Sequence, residues 1–296
     1  MLYYRRKILL ALLQVFGGKL RAIHLQKLLF LFTRSQQEKS FDFVPYQYGC
    51  FSFQANQDLS TMQKYGYIIL SDDKTIELVS KDNFLAALDM FDQLEIKQIK
   101  QQFGNMNERE VVAYTYRKYP YYATKSKIAN TIMNEEEMAK IESQKRYFSE
   151  PMLFTIGYEG ISLETYINKL IINDVRVLCD VRKNAYSQKY GFSKSQLETA
   201  CKGVDIMYEH VPQLGINSDK RKDLCSQHDY DLLFDEYERT TLKENQDALL
   251  YVKNLIDKHK RVALTCFEKD PKQCHRSRVA AALMMFEDKA YTLKLL

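Results

Sequence analysis

Residues 152–182 read MLFTIGYEGISLETYINKLIINDVRVLCDVR, and this stretch decides the fold of the C-terminal half. Its first six residues are an apolar run typical of a buried strand. ISLETYINKLI then places apolar residues at helical spacing before a second buried run, VRVLCDV. The alternation continues with the predicted strands IMYEHV and RVALTCFE and with helices around them. Continuously apolar strands separated by helices indicate an α/β domain, with a mostly parallel sheet sandwiched by helices.

The first half has a different, mainly helical pattern. Apolar residues at helical spacing predict helices at 7–16 and 24–33, and Ser52 is placed to cap a third helix that continues to about Lys64. The stretch YIILSDDKTIELV follows and predicts a β-hairpin. A further helix is predicted at 81–103. Three helices followed by a hairpin are the outline of a winged-helix domain, so we expect such a domain at the N-terminus.

The length of 296 residues suggests about two domains. The change of pattern places them at 1–148, winged-helix-like and helical, and at 149–296, α/β. Apolar stretches are too short to span a bilayer, and no signal-peptide cleavage pattern follows the basic N-terminus, so we expect a cytoplasmic protein with its six cysteines reduced. The net charge of +5 lies mostly in the first half, which permits a polyanionic partner without requiring one.

The third predicted helix is the candidate nucleic-acid-binding element. In winged-helix domains this helix enters the major groove of DNA. Asp58 is an acid in the middle of the helix and argues against that role, and winged-helix domains also dock proteins. The side chains predicted to contact DNA are Gln54, Asn56, Gln57, Thr61 and Lys64, with Gln63 beside them.

Polar side chains follow all four predicted strands of the α/β domain, at the sheet edge where ligands bind in such folds. They are Gly157, Tyr158, Glu159 and Gly160 after the first strand, Asp180 and Arg182 at the second, Glu209 and His210 at the third, and Cys266, Glu268, Cys274, His275 and Arg276 around the fourth.

Three features of these strand ends predict a pocket for a phosphate or sugar phosphate beside a carboxylate. The two-residue period of a strand places Asp180 and Arg182 on one face, and Cys266 and Glu268 likewise, so the two pairs are expected to meet. Gly157 and Gly160 let a backbone approach a ligand closely. The helix beginning near Cys274 offers N–H groups to an anion, reinforced by Arg276 and Arg278.

The stretches TIGYEG, LCDVR, YEHVPQLG and ALTCFEKDPKQCHR, in this order, resemble the prokaryotic family known as domain of unknown function 488. The resemblance covers about 153–286 and implies an α/β sandwich, without implying an activity. The positions that carry it are Gly157, Tyr158, Asp180, Arg182, Cys266, Glu268, Cys274, His275 and Arg276.

Three chemistries fit these residues to different degrees. A zinc site from Cys266, Cys274 and His275 has the spacing C-x7-C-H, which lacks the tight pairs of structural zinc sites, and two adjacent ligands are hard to bring onto one ion. We therefore expect no metal and no cofactor. A nucleophilic Cys274 is favoured by a nearby histidine and arginine, but the sequence lacks the loop of backbone donors that such a site needs.

The third chemistry is glycosidic hydrolysis by carboxylates. Asp180 and Glu268 are then catalytic with His275 as acid or orienting group, and Gly157, Tyr158, Glu159, Arg182, Cys266, Cys274 and Arg276 bind the substrate, Tyr158 by stacking on a base. A wholly structural account pairs Asp180 with Arg182 and Glu268 with Arg276 instead.

The leading hypothesis is a DNA-acting hydrolase that cleaves the N-glycosidic bond of a modified or unusual base, in the manner of a DNA glycosylase. The target nucleotide would be flipped out of the duplex into the pocket, and the N-terminal domain would bind the duplex. Such a protein would suit defence against foreign DNA. The alternative is a ligand-gated DNA-binding regulator whose α/β domain senses a nucleotide or another anion.

Overall fold

The computed structural model describes residues 2–221, 224–287 and 290–296. The chain divides into two compact units, which meet in sequence at Lys145 and Arg146. All six cysteines are free thiols, and Cys225 is exposed whereas the other five are buried. None of the described helices combines the length and the apolar character needed to cross a membrane.

The first unit is mainly helical and carries a small sheet. Its elements are α1 Tyr4–Val15, β1 Lys19–Arg21, α2 Ala22–Ser35, β2 Val44–Tyr46, β3 Gly49–Phe51, α3 Phe53–Lys64, β4 Ile68–Leu70, β5 Thr75–Leu78, α4 Met90–Phe103, α5 Glu108–Lys118, α6 Ala129–Ile132 and α7 Glu135–Glu142. β1, β5 and β4 form an antiparallel sheet in that order, and β2 pairs with β3 in a separate hairpin.

Local capping interactions explain where several of these helices begin. The Ser52 hydroxyl accepts a hydrogen bond from the Ala55 amide at the start of α3, as the sequence predicts. Asn134 and Glu137 form a capping box at α7, so the acidic run 135–137 lies where the helix dipole favours it. The prediction of one helix over 81–103 is wrong in its first part, because α4 begins only after its cap, Asp89.

A buried ion-pair cluster fixes α3 against α1. Asp58 is fully buried, and its carboxylate accepts hydrogen bonds from Arg5 Nε at 2.6 Å and Arg6 Nε at 2.7 Å. The Gln54 amide also donates to Asp58. The acid that seemed to argue against DNA contact therefore faces the inside of the unit, where two arginines neutralise it.

We expect Asp58→Asn to destabilise the first unit by about 3 kcal/mol, because the substitution removes a fully buried carboxylate that pairs with two arginines. Urea unfolding of the full chain, followed by circular dichroism, measures this change. The exposed Asp72 lies in the hairpin turn of the same unit, and Asp72→Asn is the matched control, expected to change stability by less than about 0.5 kcal/mol. Equal stabilities of the two variants would contradict the role of Asp58.

The second unit is an α/β domain, as the sequence predicts. Its elements are β6 Met152–Gly157, α8 Leu163–Ile172, β7 Val177–Asp180, α9 Lys194–Lys202, β8 Met207–His210, α10 Gln227–Tyr237, α11 Gln246–His259, β9 Arg261–Cys266, α12 Arg276–Met284 and β10 Thr292–Leu295. The strand order in the sheet is β10-β6-β9-β7-β8, and every neighbouring pair is parallel.

The order of the strands places β9 at the centre of this sheet. All six residues of β9 are buried, and Cys266 lies at its carboxyl end opposite Gly157 of β6. On the other side of β9, Asp180 of β7 is paired with Thr265. The strand-end residues of three neighbouring strands therefore come together at one edge of the sheet. The edge strand β10 was not predicted from the sequence.

Candidate functional site

A cavity of about 690 Å³ opens at the carboxyl edge of the sheet. This volume is typical of small-molecule sites. Four basic side chains contribute to its wall, namely Arg182, Lys183, Lys189 and Arg221. Of the site residues predicted from the sequence, Tyr158, Arg182, Cys266 and His275 line the cavity, whereas Gly157, Glu159, Asp180, Glu268, Cys274 and Arg276 lie around it.

Asp180 forms a buried, bidentate ion pair with Arg182. The carboxylate has no exposure and accepts from Arg182 Nε at 2.8 Å and Nη2 at 2.5 Å, and from the Tyr208 hydroxyl at 2.6 Å. Burial opposes the charge on Arg182, but Asp180 outweighs that effect and raises the arginine pKa above its usual value. Because both carboxylate oxygens are buried and engaged, and Asp180 is not part of the cavity wall, Asp180 is suited to hold Arg182 in position rather than to contact a substrate.

Tyr158 is also held by neighbours rather than free for a ligand. It is almost fully buried, its ring stacks on Phe192 at 4.3 Å between centroids, and its hydroxyl accepts from Arg182 Nη1 at 2.6 Å. Two other aromatic side chains in the cavity wall, Tyr186 and Phe267, are 70% and 42% exposed. They are better placed than Tyr158 to stack on a planar ligand group.

Gly157, the last residue of β6, allows a close approach of backbone to backbone. A Cβ at Gly157 would collide with the carbonyl oxygen of Glu268, and the amides of Tyr158 and Glu159 donate to the carbonyl of Phe267. The Glu159 carboxylate in turn accepts from the Lys269 amide. Gly157 therefore makes room for the loop that follows β9. The sequence had suggested that it makes room for a ligand.

Glu268 is a half-buried carboxylate paired with a cavity residue. Its Oε1 lies 2.7 Å from Arg221 Nη2, and its Oε2 lies 3.3 Å from Cys266 Sγ. Burial alone would raise the pKa of Glu268, but the charge of Arg221 and nearby thiol hydrogen bonds outweigh it and lower the pKa. The carboxylate is thus ionised at neutral pH. Its side chain is 15% exposed, next to the cavity wall formed by Arg221 and Cys266.

His275 and two cysteines form a compact buried cluster. His275 Nε2 lies 2.9 Å from the carbonyl oxygen of Val181. Because a carbonyl only accepts, Nε2 carries a proton, and in the neutral ring Nδ1 is left with a lone pair that faces Cys266 Sγ at 3.7 Å. Cys274 completes the cluster, and burial raises the pKa of its thiol.

Arg276 closes the loop between β9 and α12. It is buried, and its guanidinium donates to the carbonyl oxygens of Glu268 at 2.5 Å and Lys269 at 3.2 Å. Arg278 pairs with Glu238 instead of the site. The expectation that these arginines bind an anion at the start of α12 is not supported by their positions, because one holds the loop and the other lies on a different salt bridge.

Of the four basic residues that line the cavity, only Arg182 is predicted from the sequence. Lys183 and Lys189 come from the loop after β7, and Arg221 comes from a 3₁₀ turn after β8. Loops carry no periodic pattern, so only Lys183, directly after LCDVR, offers a signal in the sequence.

The residues of α3 that are predicted to contact DNA differ in how exposed they are. Asn56 and Lys64 are exposed, and so is Gln63, whereas Gln54, Gln57 and Thr61 are half-buried. Thr61 donates its hydroxyl hydrogen to the Gln57 carbonyl within the helix.

The comparison with protein families bears on the second unit. Residues 162–283 match the model of the family described as "Domain of unknown function DUF488". The second unit carries a DUF488 domain. The match begins at the cap of α8 and includes β7, β8, β9 and most of α12, so all residues of the cavity wall except Tyr158 fall within it. No curated protein matches the chain.

Asp180→Asn in the DUF488 domain is expected to lower the free energy of unfolding by about 3–5 kcal/mol, because it leaves the buried Arg182 without its counter-ion. Thermal unfolding of the full chain, monitored by differential scanning calorimetry, measures the change. Glu198→Gln, which alters an exposed carboxylate on α9, is the control and should leave the transition unchanged. A fully stable Asp180→Asn variant would show that the pair is not structural.

Proposed function

We propose that the DUF488 domain binds a nucleotide through its phosphate and hydrolyses the N-glycosidic bond of that nucleotide. The observation that carries the proposal is the group of four basic side chains, Arg182, Lys183, Lys189 and Arg221, around one cavity. Arginine and lysine are the usual phosphate ligands, and low-dielectric walls strengthen their attraction for an anion.

The aromatic residues of the cavity support a nucleotide over a simple anion. Tyr186 and Phe267 are exposed in the same wall as the cations. An aromatic ring stacks on any nucleobase without regard to its hydrogen-bonding edge. A cavity of about 690 Å³ has room for one such base with its sugar phosphate.

Glu268 supplies the group that glycosidic hydrolysis needs. Departure of the base leaves positive charge on the sugar, and a carboxylate stabilises that charge or orients the attacking water. Glu268 is held ionised by Arg221 beside the cavity. Since Asp180 is engaged by Arg182 and Tyr208, the proposal assigns the chemistry to Glu268 and a positioning role to Asp180.

The test is incubation of the full chain with single-stranded and duplex oligonucleotides that carry assorted modified bases, followed by alkaline cleavage to detect abasic sites. We expect an abasic product, and Glu268→Gln should lower the rate about 10²-fold or more, since a positioned carboxylate contributes at least that much. Glu198→Gln is the control with the same chemical change at an exposed site. Equal rates for Glu268→Gln and the wild type would contradict the assignment.

The same experiment separates the proposed enzyme from a regulator. If no base is released, but a nucleoside monophosphate binds and changes the affinity of the chain for DNA, the DUF488 domain acts as a sensor. The engagement of Asp180 by Arg182 and Tyr208 favours this second function. It leaves Glu268 as the one carboxylate, of the two predicted to be catalytic, that is available beside the cavity.

We further propose that α3 of the first unit contacts DNA. The β1-β5-β4 sheet and the position of α3 before its hairpin support the winged-helix interpretation, and burial of Asp58 removes the acid that argued against it. Asn56, Gln63 and Lys64 are the exposed polar residues of the helix.

Lys64→Glu is expected to weaken DNA binding and to reduce the slope of log affinity against log salt by about one, because one phosphate contact is lost. Fluorescence anisotropy over a salt series measures both quantities. Lys39→Glu makes the same charge change at an exposed loop of the same unit and should have a smaller effect. If both variants weaken binding equally, the attraction is general and α3 is not the contact.

A further inference from the structure

The cluster of Cys266, Cys274 and His275 has the composition of a metal site. Their ligand atoms all lie within 4.8 Å of one another, and all three residues are buried. Two thiolates and an imidazole are a donor set that selects zinc among the common divalent ions. Two thiolates also cancel the charge of Zn²⁺, so the filled site places no net charge in the protein interior.

The spacing of one donor pair matches that expected for a tetrahedral ion. Bond lengths of 2.3 Å to sulfur and 2.0–2.1 Å to nitrogen, at tetrahedral angles, separate the two donor atoms by about 3.6 Å. Cys266 Sγ and His275 Nδ1 are 3.7 Å apart. Small rotations of the side chains therefore suffice to bring both atoms into coordination range.

The hydrogen bonds of His275 prepare it for ligation. Histidines that bind metals usually donate their second ring N–H to a carboxylate or a backbone carbonyl, which fixes the tautomer. The Nε2 of His275 donates to the Val181 carbonyl at 2.9 Å. The lone pair of Nδ1 is thereby directed towards the two sulfurs.

Backbone geometry explains how two adjacent residues reach one ion. Cys274 is extended, with φ −130° and ψ 130°, whereas His275 is helical, with φ −62° and ψ −22°. Neighbouring side chains in a strand point to opposite faces, but this change of backbone conformation allows the two side chains to point the same way. Arg276 donates hydrogen bonds to the carbonyls of Glu268 and Lys269. These bonds hold Cys274 and His275 close to the end of β9.

We infer that Cys266, Cys274 and His275 bind a zinc ion whose fourth coordination position faces the cavity. Cys266 and His275 both line the cavity, and three protein ligands with one open position are the arrangement of catalytic zinc. Glu268 is already paired with Arg221 and is not counted as a ligand. An ion there would bind water and lower its pKa to about 7. The inference stands independently of the proposed glycosidic activity.

The test uses the full chain, purified under reducing conditions with any affinity tag removed. Plasma mass spectrometry should find stoichiometric zinc in the wild type and in Cys201→Ser, a control at a buried cysteine on α9. Cys274→Ser and His275→Gln should lose most of it. Circular dichroism verifies the fold of each variant.

Cobalt substitution keeps the test decisive even if the variants do not fold. After chelation and reloading of the wild type, Co²⁺ should give a thiolate charge-transfer band and the intense visible bands of tetrahedral coordination. Glu268→Gln should retain these bands, and inorganic phosphate should perturb them through the open position. None of these measurements involves a substrate, so their outcome is separate from that of the glycosidic assay.

Three results would overturn the inference. The first is a wild type that holds no zinc and gives no thiolate–cobalt band after reduction. The second is a Cys266–Cys274 disulfide, found by mass spectrometry in protein prepared without oxidation. The third is loss of the ion in Glu268→Gln, which would make Glu268 the fourth ligand and close the site.

Discussion

The buried pair of Asp180 and Arg182 joins the ends of three strands at the site. Asp180 ends β7 and accepts from Tyr208 of β8, while Arg182 donates to Tyr158, which follows β6. Each of these groups would be costly to bury alone, and together they satisfy one another. These hydrogen bonds hold the guanidinium of Arg182 in one orientation in the cavity wall.

The cavity combines side chains of both charges, with the basic ones in excess. Four basic side chains and the acid Asp219 contribute to its wall, and the carboxylate of Glu268 is paired with one of the four, Arg221. The pairing with Arg221 offsets the charge of Glu268, and the basic side chains outnumber the acids in the cavity wall. In the proposed function, binding and bond cleavage would belong to different residues of one site.

The fold of the second unit was largely readable from apolar runs, because strands buried on both faces need continuous apolar sequence. β10 escaped this reading, since Lys294 interrupts a short strand at the edge of the sheet, where burial is incomplete. The strand-end residues were likewise predictable as a group. The contacts of each residue depend on tertiary partners that the sequence does not show, as with the pairing of Asp180 with Arg182 and Tyr208.

The adjacent Cys274 and His275 show why sequence spacing alone gave little reason to infer a metal site. The spacing suggested two ligands that point apart, and only the backbone angles reveal that a loop clamp and a helix start turn them towards Cys266. The lysines and arginine of the cavity were missed for a related reason. They lie on loops, whose course is determined by contacts far away in sequence.

Burial of five of the six thiols leaves one cysteine accessible to chemical labelling. Cys225 is exposed and precedes α10, while Cys50, Cys179, Cys201, Cys266 and Cys274 are shielded from solvent. A maleimide dye applied to the folded protein would thus attach at Cys225 alone, with no engineered cysteine. The labelled chain could report ligand or DNA binding by fluorescence with every residue of the cavity wall unmodified.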